Sequence, residues 1–199
     1  MLRTLLLSAC SLAVASTASA QSAQSAQAPA ASAPLGGPVV PGVCQLSREA
    51  VFANAAVGRA ATARLAELST AAQAEIAAER APLESEAGAL QGLPETPENM
   101  ARAQAFAQRW QALQQKADHS AREIEATRQA VLARISTEAQ PIIAEAYRAR
   151  TCGLLFDRNT ALGGNFANDL TAAVVEGLDR RITTLAFDRE RLPQGAAGQ

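Results

Sequence analysis

The sequence predicts an α+β fold, mostly α, in which a small β-rich body carries a long antiparallel helical hairpin arm. Three observations lead there. The chain is 48% apolar but only 4% aromatic, and alanine supplies much of the apolar content. That composition fills a thick core badly and packs long helices closely. Two long stretches of helical periodicity lie on either side of one strong break, Gly92-Leu93-Pro94-Glu95-Thr96-Pro97. Short apolar runs of strand character, Gly42–Leu46 and Leu154-Leu155-Phe156, flank those two stretches.

Residues 1–20 read as a signal peptide. Arg3 is the positive n-region, Leu5–Ala15 the apolar h-region, and Ala18-Ser19-Ala20 a small-x-small cleavage site before Gln21. A lipoprotein box at Leu7-Ser8-Ala9-Cys10 is the competing reading, but cleavage there would leave an h-region shorter than the usual roughly 7–15 residues. The apolar run is also under the roughly 18–20 residues that a membrane span needs. The mature chain is therefore expected in the periplasm or outside the cell. Residues 21–38 are rich in Ala, Ser, Gln and Pro without periodicity, as a disordered linker is.

The folded region is expected over residues 39–182, with the body at 39–47 and 151–182 and the arm at 48–150. Val39-Val40 and Gly42–Leu46 read as a strand interrupted by Pro41, either an edge or a strand that starts after the proline. Ser47 can cap a helix running from Arg48 to Gln91, with Gly58, Pro82 and Gly88 as interior breakers. Its stripe passes through Leu65, Leu68, Ala72, Ile76, Leu83 and Leu90. The stripe resumes in phase at Leu83, so Pro82 is expected to kink the helix rather than end it. Thr96 and Pro97 make a good start for a second helix, Pro97 to Arg150. Phe106, Trp110, Leu113, Ala117, Ala121 and Ile124 mark its stripe, which Val131, Ile135 and Ala139 continue, with Pro141 as a second kink. Leu154-Leu155-Phe156 then reads as a strand, Ala161-Leu162 as another, and Gly163-Gly164-Asn165 as a break. Asp169 or Thr171 can cap a last short helix whose apolar face is Leu170, Val174 or Val175, and Leu178. Residues 183–199 read as a flexible tail.

The stretch Thr151–Leu178 resembles the C-terminal signature of the Skp (OmpH-like) family of periplasmic outer-membrane-protein chaperones. The resemblance rests on Gly153, the run Leu154–Phe156 ending at Asp157, Asn159, Ala161-Leu162, and then Asp169, Leu170, Thr171 and Val174-Val175. It implies a homotrimer, with Val43, Leu154, Leu155, Phe156 and Leu162 in the body and trimer core. Physical reasoning agrees to this extent: two or three short strands from one chain expose their edges, and more copies would cover them. The resemblance also implies an ATP-independent holdase that binds unfolded outer-membrane β-barrel proteins after export. A non-chaperone coiled-coil envelope adaptor or scaffold is the alternative.

Nothing in the chain assembles into a catalytic constellation, so it is not read as an enzyme and no cofactor is expected. The single histidine, His119, reads as part of a solvated helix face, and a lone histidine makes a zinc site implausible. Cys44 and Cys152 remain once the leader is removed, and in an oxidising compartment they are a candidate disulfide; two buried thiols are the other reading. Phe106, Trp110 and Leu113 are candidate client contacts on the arm, or else they pack across the hairpin. Without the leader the chain has 17 basic and 19 acidic side chains, and Lys116 is its only lysine. No basic surplus points to nucleic acid. The same balance weakens the case for lipopolysaccharide or membrane-surface contact.

Overall fold

A computed structural model describes residues 36–193. The expected leader, most of the linker and the last six residues lie outside them. The elements follow in the order β1 (Val43–Leu46), α1 (Arg48–Asn54), α2 (Ala56–Leu90), α3 (Pro97–Ala149), β2 (Leu154–Asp157) and α4 (Thr171–Arg181), with a single 3-10 turn at Arg158–Thr160. The strand begins after Pro41, and Val39 and Val40 stay exposed ahead of it.

The expected first helix is two helices. Ser47 caps α1 by accepting the amide of Ala50 at 3.1 Å. Ala55 then turns extended, with φ −68° and ψ 144°, and the chain restarts as α2. The first amide of α2, on Ala56, donates to Asp179 Oδ1 of α4 at 2.7 Å, so the restart is capped from a distant element. Gly58 lets α2 press against α1, because a Cβ there would overlap the carbonyl of Phe52. Only the sequence-distant partner Asp179 makes this break favourable, so local periodicity did not reveal it.

From there α2 runs 35 residues and α3 runs 53, the latter about 80 Å long at ~1.5 Å per residue. Pro82 and Pro141 lie inside these helices on exposed faces, where water can serve the carbonyls they leave unpaired. The hairpin turns at Gly92, whose φ is +75°, and Thr96 caps α3 by accepting the amide of Asn99 at 3.2 Å. At its far end α3 stops in a Schellman arrangement: Cys152 N donates to Tyr147 O and Thr151 N to Arg148 O. Thr151 occupies the left-handed position at φ 51°, where a β-branched residue is uncommon.

The body is a two-stranded parallel sheet, with Val43 opposite Leu154 and Leu46 opposite Asp157. Parallel strands need a long crossover, and here the arm supplies it by leaving the base and returning to it. On the other side of β1 the segment around Asp169 adds a bridge, with Leu170 N donating to Gln45 O at 2.8 Å. Cys44 and Leu46 point inward and join a cluster with Val51 of α1, Leu170 just before α4, and Val174 and Leu178 of α4. The apolar face expected for α4 is therefore the packed one, through Val174.

Two expectations fail in this region. Ala161-Leu162 is not a strand. Asp157 accepts the amide of Asn159 and its carbonyl accepts the Thr160 hydroxyl, so local side-chain bonding closes a turn instead. The tail is not loose from residue 183, because residues 183–193 lie back along the arm: Leu185 and Phe187 pack against the core, and Arg64 pairs with Asp188 at 3.3 Å.

Candidate functional site

On the arm, Phe106 and Trp110 stack with ring centroids 6.0 Å apart. Both are half-buried against a cluster of Ile76, Leu83 and Leu113. Leu113 is only 6% exposed, so it belongs to the seam between α2 and α3 and is not a surface contact. The two rings lean on the same seam, as the hairpin-packing alternative had it. Nearer the base the seam opens. Ala72, Ile76, Ala77, Ala117, Ala121 and Ile124 line an open groove of about 560 Å³. Alanine on both helices contributes, since its methyl groups fill less of the space between α2 and α3 than larger side chains would.

In the body, the residues expected in the body and trimer core are mostly exposed in the single chain. Leu154 is 56% exposed and Phe156 49%, Leu155 is also exposed, and Leu162 projects fully from the loop after β2. The reason is placement: β2 is the outer strand, and the inward positions go to Cys44 and Leu46 of β1. Val43, at the start of β1, is half-buried. The structure joins Cys44 to Cys152 in a disulfide, with Cα atoms 5.7 Å apart. The bridge ties β1 to the end of α3, at the root of the arm.

Asp169 accepts the amide of Thr171 at 2.8 Å and pairs with Arg158 at 2.6 Å. Burial alone would raise the Asp169 carboxyl, but the bonds from Thr171 and Arg158 hold it below its ordinary value. Thr171 does not cap its own helix. Its hydroxyl accepts the buried amide of Ser47 at 3.0 Å, which fastens the β1–α1 corner to α4.

The cluster that the sequence reading missed lies midway along α3. Glu123 is 3% exposed. Its carboxylate meets Arg189 Nη2 at 2.7 Å and Arg191 Nη1 at 3.3 Å, both from the tail, and His119 Nε2 of α3 at 3.2 Å. Burial would push this carboxyl up, but hydrogen bonds from Arg189 and the Leu192 amide, with the charges of Arg189 and Arg191, hold it below the usual carboxylate range. His119 is thus a half-buried neighbour of a carboxylate and not part of a solvated face. The seam here runs through Ser120, Glu123 and Thr127, one position off the expected line through Ala121 and Ile124. A signal was present in the alternation Asp188-Arg189-Glu190-Arg191, which offers arginines to a buried acid.

Among the described residues no group of His, Cys, Asp and Glu is placed to hold a metal ion, and no helix is long and apolar enough to cross a membrane. No curated protein matches the chain. A solved structure does: a Caulobacter crescentus protein described as a candidate outer membrane chaperone (OmpH-like), with 38% identity over 79% of this chain and 95% of that one, and a TM-score of 0.68. The family model described as Outer membrane protein (OmpH-like) matches residues 43–178, from the start of β1 to the last buried leucine of α4. The chain belongs to the OmpH-like family.

Proposed function

We propose that the protein is an ATP-independent holdase of the periplasm that binds unfolded outer-membrane β-barrel proteins after export, working as a homotrimer. The observation that carries the reading is the arm. Two long helices face each other through small side chains and leave an open, weakly apolar groove of about 560 Å³. Such a surface suits loose, many-point contact with chains whose alternating strands expose apolar side chains. The family membership and the solved relative, described as a candidate outer membrane chaperone, support the same reading. The exposed run Leu154–Phe156 on an outer strand supports assembly, since another copy could cover it.

Light scattering from a refolding outer-membrane protein tests the holding activity. Mature protein at stoichiometric trimer should suppress the scattering without nucleotide. With few net charges the grip should persist from low to moderate salt, where exposed charges are screened within about 8–10 Å. Absence of protection at every ratio rejects the holdase; loss of protection by moderate salt rejects only the apolar grip.

A further inference from the structure

The tail beyond α4 shows how the arm holds an extended chain. Residues 184–193 have no helix or strand of their own. Along them Leu185, Phe187 and Arg189 turn inward, while Ala186, Asp188 and Glu190 turn to solvent. That is the period of two of a β-strand, laid without a sheet on a helical surface. Three α3 side chains hold its main chain. Arg134 Nη1 donates to the carbonyl of Ala186 at 3.2 Å, Thr127 Oγ1 accepts the amide of Glu190 at 2.9 Å, and Glu123 Oε1 accepts the amide of Leu192 at 3.2 Å. These contacts read backbone and are indifferent to sequence. Side-chain contacts are the apolar seats of Leu185 and Phe187, Arg189 between Glu123 and Glu75, which its Nη1 meets at 3.2 Å, and the more exposed pairs Arg64–Asp188 and Arg191–Glu123. The segment also lies wholly beyond residue 178, where the family match ends.

We infer that the α3 face bearing Glu123, Thr127 and Arg134 is a binding site for extended polypeptide, filled in the free protein by the chain's own tail and yielded to a β-strand segment of an unfolded client. A buried carboxylate with two main-chain holders four and eleven residues further on is a built site, and the tail is its resident occupant. A nascent barrel strand presents the same extended backbone and the same alternation of side chains. The tethered tail keeps a high effective concentration, so a free segment must compete against it. The tail thereby raises the threshold for binding and keeps this α3 face occupied when no client is present. This inference rests on the holdase reading for the identity of the client, but not for the existence of the site.

Two measurements test it on the intact mature chain. In the first, hydrogen exchange follows the amides of Glu190 and Leu192, with and without saturating unfolded outer-membrane protein. Exchange should quicken about tenfold or more when client is bound, while amides in the middle of α3 stay protected. Unchanged protection of both tail amides with client demonstrably bound overturns the inference. The second uses a dye-labelled peptide of the tail sequence, Thr184 to Pro193, read by fluorescence anisotropy. Arg189→Ala, which frees the tail, should bind the peptide about tenfold more tightly than the wild type. Arg189→Lys, which keeps the charge without the two-carboxylate fork, should fall between them. Equal affinity in all three, with helix content unchanged by circular dichroism, overturns the inference. If no client binds at all, the holdase reading fails and the peptide result alone decides the site.

Discussion

Glu123 is the residue whose chemistry the sequence hides best. The expected stripe passes it by through Ala121 and Ile124, and the returning tail, with Arg189 and Arg191, helps make it a buried anion. Its pH dependence has a definite sign. The unfolded carboxyl titrates near about 4.3, and the folded one lies lower, so the carboxylate contributes fully above the unfolded value and loses its contribution as pH falls through the folded value. Facing it are Arg189 and Arg191 from the tail and His119 from its own helix, while Glu75 of α2 shares Arg189. Glu123→Gln should destabilise by about 1–3 kcal/mol near neutral pH. In urea titrations the gap between variant and wild type should hold from pH 7 to about 5 and narrow below about 4; a gap that widens in acid would contradict the assignment. Asp169 was legible as a helix-end acceptor because capping is local. Thr171 was not, since its partner is 124 residues away.

At the scale of elements, what was legible follows sequence distance. Both arm helices and their turn are declared by local periodicity and by Gly92, Thr96 and Pro97. The two prolines inside them were read as kinks, and the helices do continue through them. The break at Ala55 was not legible, because Asp179 of α4 stabilises it and Gly58 only permits it. Gly58→Ala should force α1 off α2 and cost at least about 1–3 kcal/mol. Differential scanning calorimetry reads this directly, and an unchanged melting temperature would mean that the corner relaxes freely. Gly88→Ala is the matching control: nothing lies within reach of a Cβ there, and Ala is favoured over Gly inside a helix by about 0.5–1 kcal/mol. The second body strand was misread for the opposite reason. Ala161-Leu162 has strand composition, but the Asp157, Asn159 and Thr160 side chains had already committed the backbone to a turn.

For the whole molecule, the apolar runs assigned to the body and trimer core are mostly left exposed by the single chain. Apolar runs were legible as strands, but not which of them a single chain buries. β1 takes the interior and β2 the rim, which leaves Leu154, Leu155 and Phe156 uncovered. If copies of the chain cover them, the effect of a charge there is predictable. Phe156→Asp should lower the solution mass from a trimer toward a monomer at micromolar concentration, by light scattering behind size exclusion, with the disulfide and helix content intact. A wild type that already runs as a monomer would remove the trimer. A variant that stays trimeric would place the contact elsewhere.

The bridge at the root of the arm makes the chain a lasso, with more than half of its described length hanging from one covalent knot. A protease that cuts the exposed turn between Gly92 and Thr96 therefore severs the polymer without separating it. Nicked protein should migrate as one species without reductant and as two with it. The two halves, each keeping its own helix, should stay paired at any dilution, because their association is no longer bimolecular. A tip worn by proteolysis in a compartment that lacks reductant would then leave the body assembled and the tail in place. Two bands without reductant after a single cut at the turn would show that the knot is open in the isolated protein.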